Sequence, residues 1–212
     1  MPIRAVISDF GGVLTSPLLG AFVRFQEDTG VTLEQLGVAM TAGAELLDGR
    51  NPLFELECGR ITEDRFLDVL RDGLEPLLGE RPALHRFKET YFDGLRPNEE
   101  MIALMAELGG RGLRMAILTN NVREWEPIWR AKLPVDEIFE IVVDSAFVGL
   151  RKPDPLIYEL TLERLDGIAA GECLFVDDTE VNCIAAAELG IRAVHFRDNA
   201  QAIAEIRSAV DE

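Results

Sequence analysis

Three short apolar runs in this chain each end on a polar residue and lead toward stretches with helical periodicity. Ala5-Val6-Ile7-Ser8 leads into Asp9, Met115-Ala116-Ile117-Leu118 into Thr119-Asn120, and Leu174-Phe175-Val176 into Asp177-Asp178. Apolar runs that do not alternate read as strands covered on both faces, the mark of a parallel sheet. In an open sheet of that kind, ligands bind beyond the carboxyl ends of the strands. One topology therefore carries Asp9, Thr119, Asp177 and Asp178 to a single rim from distant points in the sequence.

The order of elements fills in the architecture. Strands are expected at 4–9, 114–119, 139–143, 173–177 and 192–196, with helices near 127–132 and at 155–166, 180–189 and 199–208. Such alternation implies an α/β fold with a doubly covered parallel sheet. Asn98 can cap a helix whose first turn holds Glu99 and Glu100; Met101, Leu104, Met105 and Leu108 form its apolar face, and Gly109-Gly110 ends it. Between the first two strands the patterns are helical only, near 17–28, 33–47, 62–71 and 82–93, the first carried by Leu18, Phe22 and Phe25. Gly49-Arg50-Asn51-Pro52 reads as a turn among them. A block of about 80 residues is too long for a crossover. The expected organisation is a core domain of residues 1–15 and 98–212 with a helical cap domain, 16–97, inserted into it.

Composition narrows the partners. The 212 residues are 48% hydrophobic, enough for one sizeable core and a small second unit. A formal charge of −17, spread along the chain, argues against nucleic acid and anionic membranes. It also means that a phosphate site needs positive charge of its own. No run is long enough to span a membrane, and the amino terminus leads straight into a strand without a signal peptide. Cys58, Cys173 and Cys183, odd in number and without metal spacing, fit a reducing, cytoplasmic setting. The oligomeric state is left open.

Asp9, Asp177 and Asp178 on one rim call for a cation. At ~5 Å and an effective dielectric near 20, each carboxylate pair repels by roughly 3 kcal/mol. Oxygen ligands without His or Cys favour a hard ion, most simply Mg²⁺, which also takes phosphate oxygens. Asp178 is the expected direct ligand, with Asp177 behind it or acting through water. Plain helix capping is the alternative for that pair, and a strand-end turn the alternative for Asp9. Lys152 is one of three lysines and sits in Gly149-Leu150-Arg151-Lys152-Pro153, a loop stiffened by Pro153 and Pro155. Its ammonium can offset the carboxylates and pair with phosphoryl oxygens. The Thr119 hydroxyl and the Asn120 backbone N–H are the expected further donors. Arg50 either reaches from the cap to the substrate or is a solvated turn arginine. Trp125 and Trp129 read better as core than as pocket lining, and His85 and His195 as structural.

Taken in order, these residues resemble the haloacid dehalogenase superfamily of hydrolases. Asp9-Phe10-Gly11-Gly12-Val13-Leu14 matches its first motif, Thr119-Asn120 the second, Lys152-Pro153 the third and Asp177-Asp178 the fourth. The helical stretch after the first motif is similar to the subgroup whose cap lies there, including glucose-1-phosphate-type phosphatases and the N-terminal phosphatase domain of soluble epoxide hydrolase. The resemblance implies a Rossmann-like core with an inserted helical cap and Asp9 as a nucleophile that forms an aspartyl-phosphate. It places the metal on Asp9, the Gly11 backbone carbonyl, Asp177 and Asp178. The implied activity is Mg²⁺-dependent hydrolysis of small phosphomonoesters, with a small phosphorylated metabolite as substrate. One position departs. Most family phosphatases carry a second Asp two residues after the nucleophile, and Gly11 stands there, so general acid catalysis is weakened. The alternatives are a 2-haloacid dehalogenase-like hydrolase, which usually lacks that Asp and needs no metal, and a non-catalytic phosphate-binding or interaction module.

Overall fold

Alternation on each strand decides how the sheet is covered. In the computed structural model, which describes residues 1–17, 19–84 and 87–212, five parallel strands form one sheet in the order β3-β2-β1-β4-β5. They are β1 (Ala5–Ser8), β2 (Arg114–Thr119), β3 (Ile141–Asp144), β4 (Cys173–Asp177) and β5 (Arg192–His195). Val6, Met115, Ile117, Leu174 and Val176 face one buried cluster, and Ala5, Ile7, Ala116, Leu118 and Phe175 face the other. Both faces are dry, which is why these runs show no polar alternation. Helices α6 (Glu99–Gly110) and α12 (Asn199–Asp211) cover the first face, through Met101, Leu104, Met105, Leu108, Ala202 and Ile206. On the second lie α10 (Pro155–Arg164) and α11 (Glu180–Glu188), through Ile157, Tyr158, Ala185 and Ala186. Short helices α7 (Glu126–Arg130), α8 (Val135–Ile138) and α9 (Ser145–Val148) join the strands on either side of β3. Cys58, Cys173 and Cys183 are buried free thiols. Among the described residues, no helix is long and apolar enough to cross a membrane.

Among the described residues, five of the six helices between β1 and β2 form the insert, α6 being the exception: α1 (Leu19–Thr29), α2 (Leu33–Glu45), α3 (Pro52–Glu57), α4 (Glu63–Leu78) and α5 (Phe87–Gly94). Leu18, His85 and the side chain of Phe22 lie outside the described residues, while Phe25 is buried as the helical stripe requires. Two features differ from the sequence expectation. The Gly49–Pro52 turn opens directly into α3, whose N-terminus is capped by the Asn51 side chain accepting from Leu53 N–H (2.9 Å), with Pro52 at the first turn. Helix α4 continues through Pro76 to Leu78, because burial of Leu74 and a left-handed Gly79 cap outweigh the lost hydrogen bond.

The insert leaves and rejoins the core side by side. Thr15 bridges Pro97; Ser16 N–H donates to the Arg96 carbonyl (2.7 Å), and Asn98 N–H to that of Leu14 (2.9 Å). Asn98 does not cap α6 with its side chain. Its amide instead donates to Val13 O (2.9 Å) and to Asn199 Oδ1 (2.8 Å), tying this root to the start of α12. A second contact joins the turn after α3 to the core near α9. Gly59 has φ +63°, and a Cβ there would lie 2.2 Å from the Ala146 carbonyl oxygen. Arg60 donates to the Gly149 carbonyl (3.2 Å) beside it.

Gly59→Ala should therefore cost more than its backbone strain. Gly79 has a similar φ of +78° but open space around it, so Gly79→Ala carries the strain alone. Calorimetry should show a loss of at least about 1 kcal/mol for either substitution, or about 2–4 °C in Tm, and clearly more for Gly59→Ala. Equal losses would mean that the insert does not press on the core at this turn.

Candidate active site

Parallel pairing sets the rim. Ser8 is in register with Ile117 and Val176, Thr119 with Asp144, and Asp177 with His195. The residues one step beyond β1 and at the ends of β2 and β4 therefore converge, as the sequence pattern anticipates. Asp9 N–H continues the pairing by donating to the Val176 carbonyl (2.8 Å). Thr119 is buried at the end of β2 and lines the same cavity as Asp9.

Lys152 is the centre of the cluster. Its side chain is 1% exposed, and its Nζ lies 2.8 Å from Asp9 Oδ1 and 2.6 Å from Asp177 Oδ2. Asp9 Oδ1 also accepts the Phe10 N–H (2.7 Å). Asp177 has further donors: Thr179 N–H to Oδ1 (2.8 Å) and the Asn182 amide to both oxygens (3.0 and 3.1 Å). The loop that presents Lys152 is fixed from below by Asn120, whose side chain accepts the Lys152 N–H (2.8 Å) and donates to the Lys152 carbonyl (3.0 Å). Asn120 thus has a positioning contact beyond the backbone donor expected from the sequence. Asn182 escapes sequence reading, although a polar residue on the buried face of α11 among Cys183, Ala185 and Ala186 is a usable signal.

The third carboxylate stands differently. Asp178 is partly exposed and its Oδ1 accepts from the Thr179 hydroxyl (3.3 Å), while its backbone carbonyl meets His195 Nε2 (3.1 Å). Its side chain fills the space over Gly12, where a Cβ would lie 2.1 Å from Oδ2; with φ +82°, that position suits only glycine. One oxygen from each of Asp9, Asp177 and Asp178 lies within 4.8 Å of the others. Oxygen donors at this spacing fit a hard divalent cation. Asp177 is largely spent on its donors, which leaves Asp9 and Asp178 with capacity for one. Burial pushes the Asp9 carboxyl up to about 7 against the pull of Lys152, and Asp177 and Asp178 add to the rise. Asp178 is raised as well, by burial and then by Asp177. Burial alone would lower Lys152, but Asp9 and Asp177 outweigh it and hold its ammonium charged.

The rim opens into a cavity of about 490 Å³ reaching under the insert. Gly11, Thr119, Asn120 and Lys152 line its core end. Trp125 lines it too, whereas Trp129 is fully buried against Phe10 at 4.9 Å. Arg50 is not brought to it. Its guanidinium binds the buried Glu55 (3.1 Å) and the Leu47 carbonyl (3.0 Å), because Glu55 lies beneath the turn and also takes Arg60 (2.9 Å). The arginine at the cavity is Arg151, paired with Glu57 of α3 (2.7 Å) and stacked on Phe54 at 3.8 Å.

A buried ammonium between carboxylates at the rim of a doubly covered parallel sheet, beneath a helical insert, marks a class of α/β hydrolytic enzymes. Comparison with known proteins gives the family. The haloacid dehalogenase-like hydrolase profile matches residues 3–190. A sesquiterpene phosphatase of Aspergillus oryzae, astK, is 31% identical, over 98% of this chain and 96% of its own. A HAD-like family hydrolase from Porphyromonas gingivalis superposes with a TM-score of 0.70 at 22% identity, covering 100% of both chains. A HAD family enzyme from Bacteroides thetaiotaomicron, solved with magnesium and inorganic phosphate, gives 0.66 at 23% identity, over 92% of this chain and 94% of that one. The chain belongs to the haloacid dehalogenase-like hydrolases.

The raised Asp9 carboxyl sets a pH test. Its pKa rises from 3.8 to about 7 on folding. Its stabilising contribution is therefore complete below about pH 4 and is lost as pH climbs through 7. In chelator, Asp9→Asn should raise Tm at about pH 8 and change it little at about pH 4, read by calorimetry. Mg²⁺ should then raise the wild-type Tm more than that of Asp178→Ala. An Asp9→Asn effect independent of pH would remove the crowding account.

Proposed function

We propose that this chain is a Mg²⁺-dependent phosphatase that hydrolyses phosphomonoesters through Asp9. The carrying observation is the Lys152 ammonium bridging Asp9 (2.8 Å) and Asp177 (2.6 Å), with Asp178 alongside. In this reading residues 1–15 and 98–212 carry the chemistry and 16–97 cap it. An Asp9 oxygen attacks phosphorus, the ester P–O bond breaks, and its electron pair leaves on the alcohol oxygen. Water then adds to the aspartyl-phosphate, which frees inorganic phosphate and restores the carboxylate. Lys152 and the Thr119 hydroxyl meet the phosphoryl oxygens, together with the Asn120 N–H, while the Asn120 side chain keeps the Lys152 loop in place. Asp9, Asp178 and the Gly11 carbonyl would hold Mg²⁺, with Asp177 behind them. When bound, Mg²⁺ supplies charge neutralisation at the phosphoryl oxygens. The phosphatase relative and the magnesium- and phosphate-bound neighbour support this reading, and the free cysteines support a cytoplasmic setting.

Gly11 gives the reaction its character. A positioned general acid contributes about 10²–10⁴-fold, and Gly11 has no side chain to supply it. The leaving oxygen then draws its proton from water, so good leaving groups react best.

The test is kcat/KM for a series of phosphomonoesters of rising leaving-group pKa, starting with p-nitrophenyl phosphate, with and without Mg²⁺. Activity should fall steeply along the series, vanish on chelation and vanish in Asp9→Asn. Gly11→Asp should selectively speed alkyl esters. Full activity in Asp9→Asn would end the nucleophile assignment. Turnover that survives metal stripping would point to the dehalogenase reading, to be checked with 2-chloropropionate.

A further inference from the structure

The far wall of the cavity is built for something other than a sugar. Leu36 and Met40 sit one turn apart on α2, Phe66 and Leu70 one turn apart on α4, and Phe92 on α5 closes the same space. Among the described residues, Glu57 is the one charged side chain that the insert adds to the lining, and it is already paired with Arg151 at 2.7 Å. Several polar side chains at the core end are committed as well. The Asn120 amide holds the Lys152 backbone, the Asn182 amide holds Asp177, and Asn121 Oδ1 accepts the Val122 N–H (2.9 Å). A hydroxylated leaving group entering this wall would give up its water and, among the insert's described side chains, meet only the already paired Glu57 in exchange. An apolar chain would gain from the same transfer.

Size gives the length. The cavity measures about 490 Å³. At ~30 Å³ for a water, and a similar volume for a methylene, a seated phosphate leaves room for roughly ten to fifteen carbons. We infer that the substrate is a phosphate monoester whose leaving group carries a long apolar chain of this length, with its head at Asp9 and Lys152 and its chain under the insert. The head of this substrate rests on the phosphatase reading above; the tail rests on the cavity alone. Affinity is then set by the chain, and rate by the leaving oxygen.

The two parts separate in one experiment. Binding of n-alkylphosphonates, from ethyl to tetradecyl, is measured by titration calorimetry with Mg²⁺ below their micelle concentrations. Hydrolysis of p-nitrophenyl phosphate is followed in parallel. Kd should tighten roughly fourfold per added methylene, the value of one buried CH₂, and level off at ten to fifteen carbons. Long phosphonates should compete with p-nitrophenyl phosphate, and Met40→Trp should move the levelling-off to shorter chains. Affinity independent of chain length, with aryl phosphatase activity intact, overturns the inference and leaves the catalytic reading standing. So does tighter binding of glucose 1-phosphate than of dodecylphosphonate. Chain-length dependence without any turnover supports the apolar occupant and overturns the catalytic reading instead.

Discussion

An ammonium group withdrawn from water survives only where opposite charge meets it at bonding distance, and Lys152 has two such partners, 2.6 and 2.8 Å away. Stripping the ammonium of all opposite charge would cost about 3–5 kcal/mol, whereas with Asp9 neutral Asp177 still meets it at 2.6 Å. The surrounding geometry serves that constraint. Asp177 is held on its other side by Asn182 and by the Thr179 N–H, so it cannot swing away. Asn120 grips the Lys152 backbone, so the loop cannot slide. Strands β1 and β4 are direct neighbours, which places Asp9 and Asp177 on either side of one ammonium. Three carboxylates against one lysine still leave an excess of two negative charges, and repulsion from Asp177 and Asp178 adds to the burial that raises the Asp9 carboxyl.

The strands were readable because burial on both faces leaves an unbroken apolar run, and such runs end where the sheet ends. Asp9, Thr119, Asp177 and Asp178 were readable for the same reason: each lies at or just past such an end. What the pattern does not carry is contact between elements distant in sequence. Arg50 looks free in its turn until the buried Glu55 is seen beneath it, shared with Arg60. Asn98 has the composition of a helix cap, yet its amide is taken by Val13 and Asn199. The need for glycine at position 12 comes from Asp178, 166 positions later, whose carboxylate occupies the space a side chain would need. Helix α3 and the four-residue α8 and α9 are too short to show a period, and tertiary packing holds them.

Polar chemistry and apolar volume are divided between the two parts of the chain. The strand ends supply the charged groups, and the insert supplies hydrocarbon. This division suits an overall charge of −17, a field that repels phosphate at long range. Lys152 and Arg151 provide local positive charge at the cavity. Contact with an apolar wall also thins the water around the rim, which strengthens each electrostatic contact there.

The root of the insert has a consequence of another kind. Because Thr15–Ser16 and Arg96–Asn98 run side by side and are hydrogen-bonded to each other, both chain connections of the helical segment leave the core at one point, while its other contacts with the core, at Gly59, Arg60 and Glu57, are non-covalent. Its two ends are as close as those of a surface loop, the situation in which chains tolerate insertion and exchange. The segment is a replaceable module. A differently shaped helical unit with equally adjacent ends could be grafted at that point while the five-stranded sheet and its charged rim stay in register, provided it also meets the core at Ala146, Gly149 and Arg151.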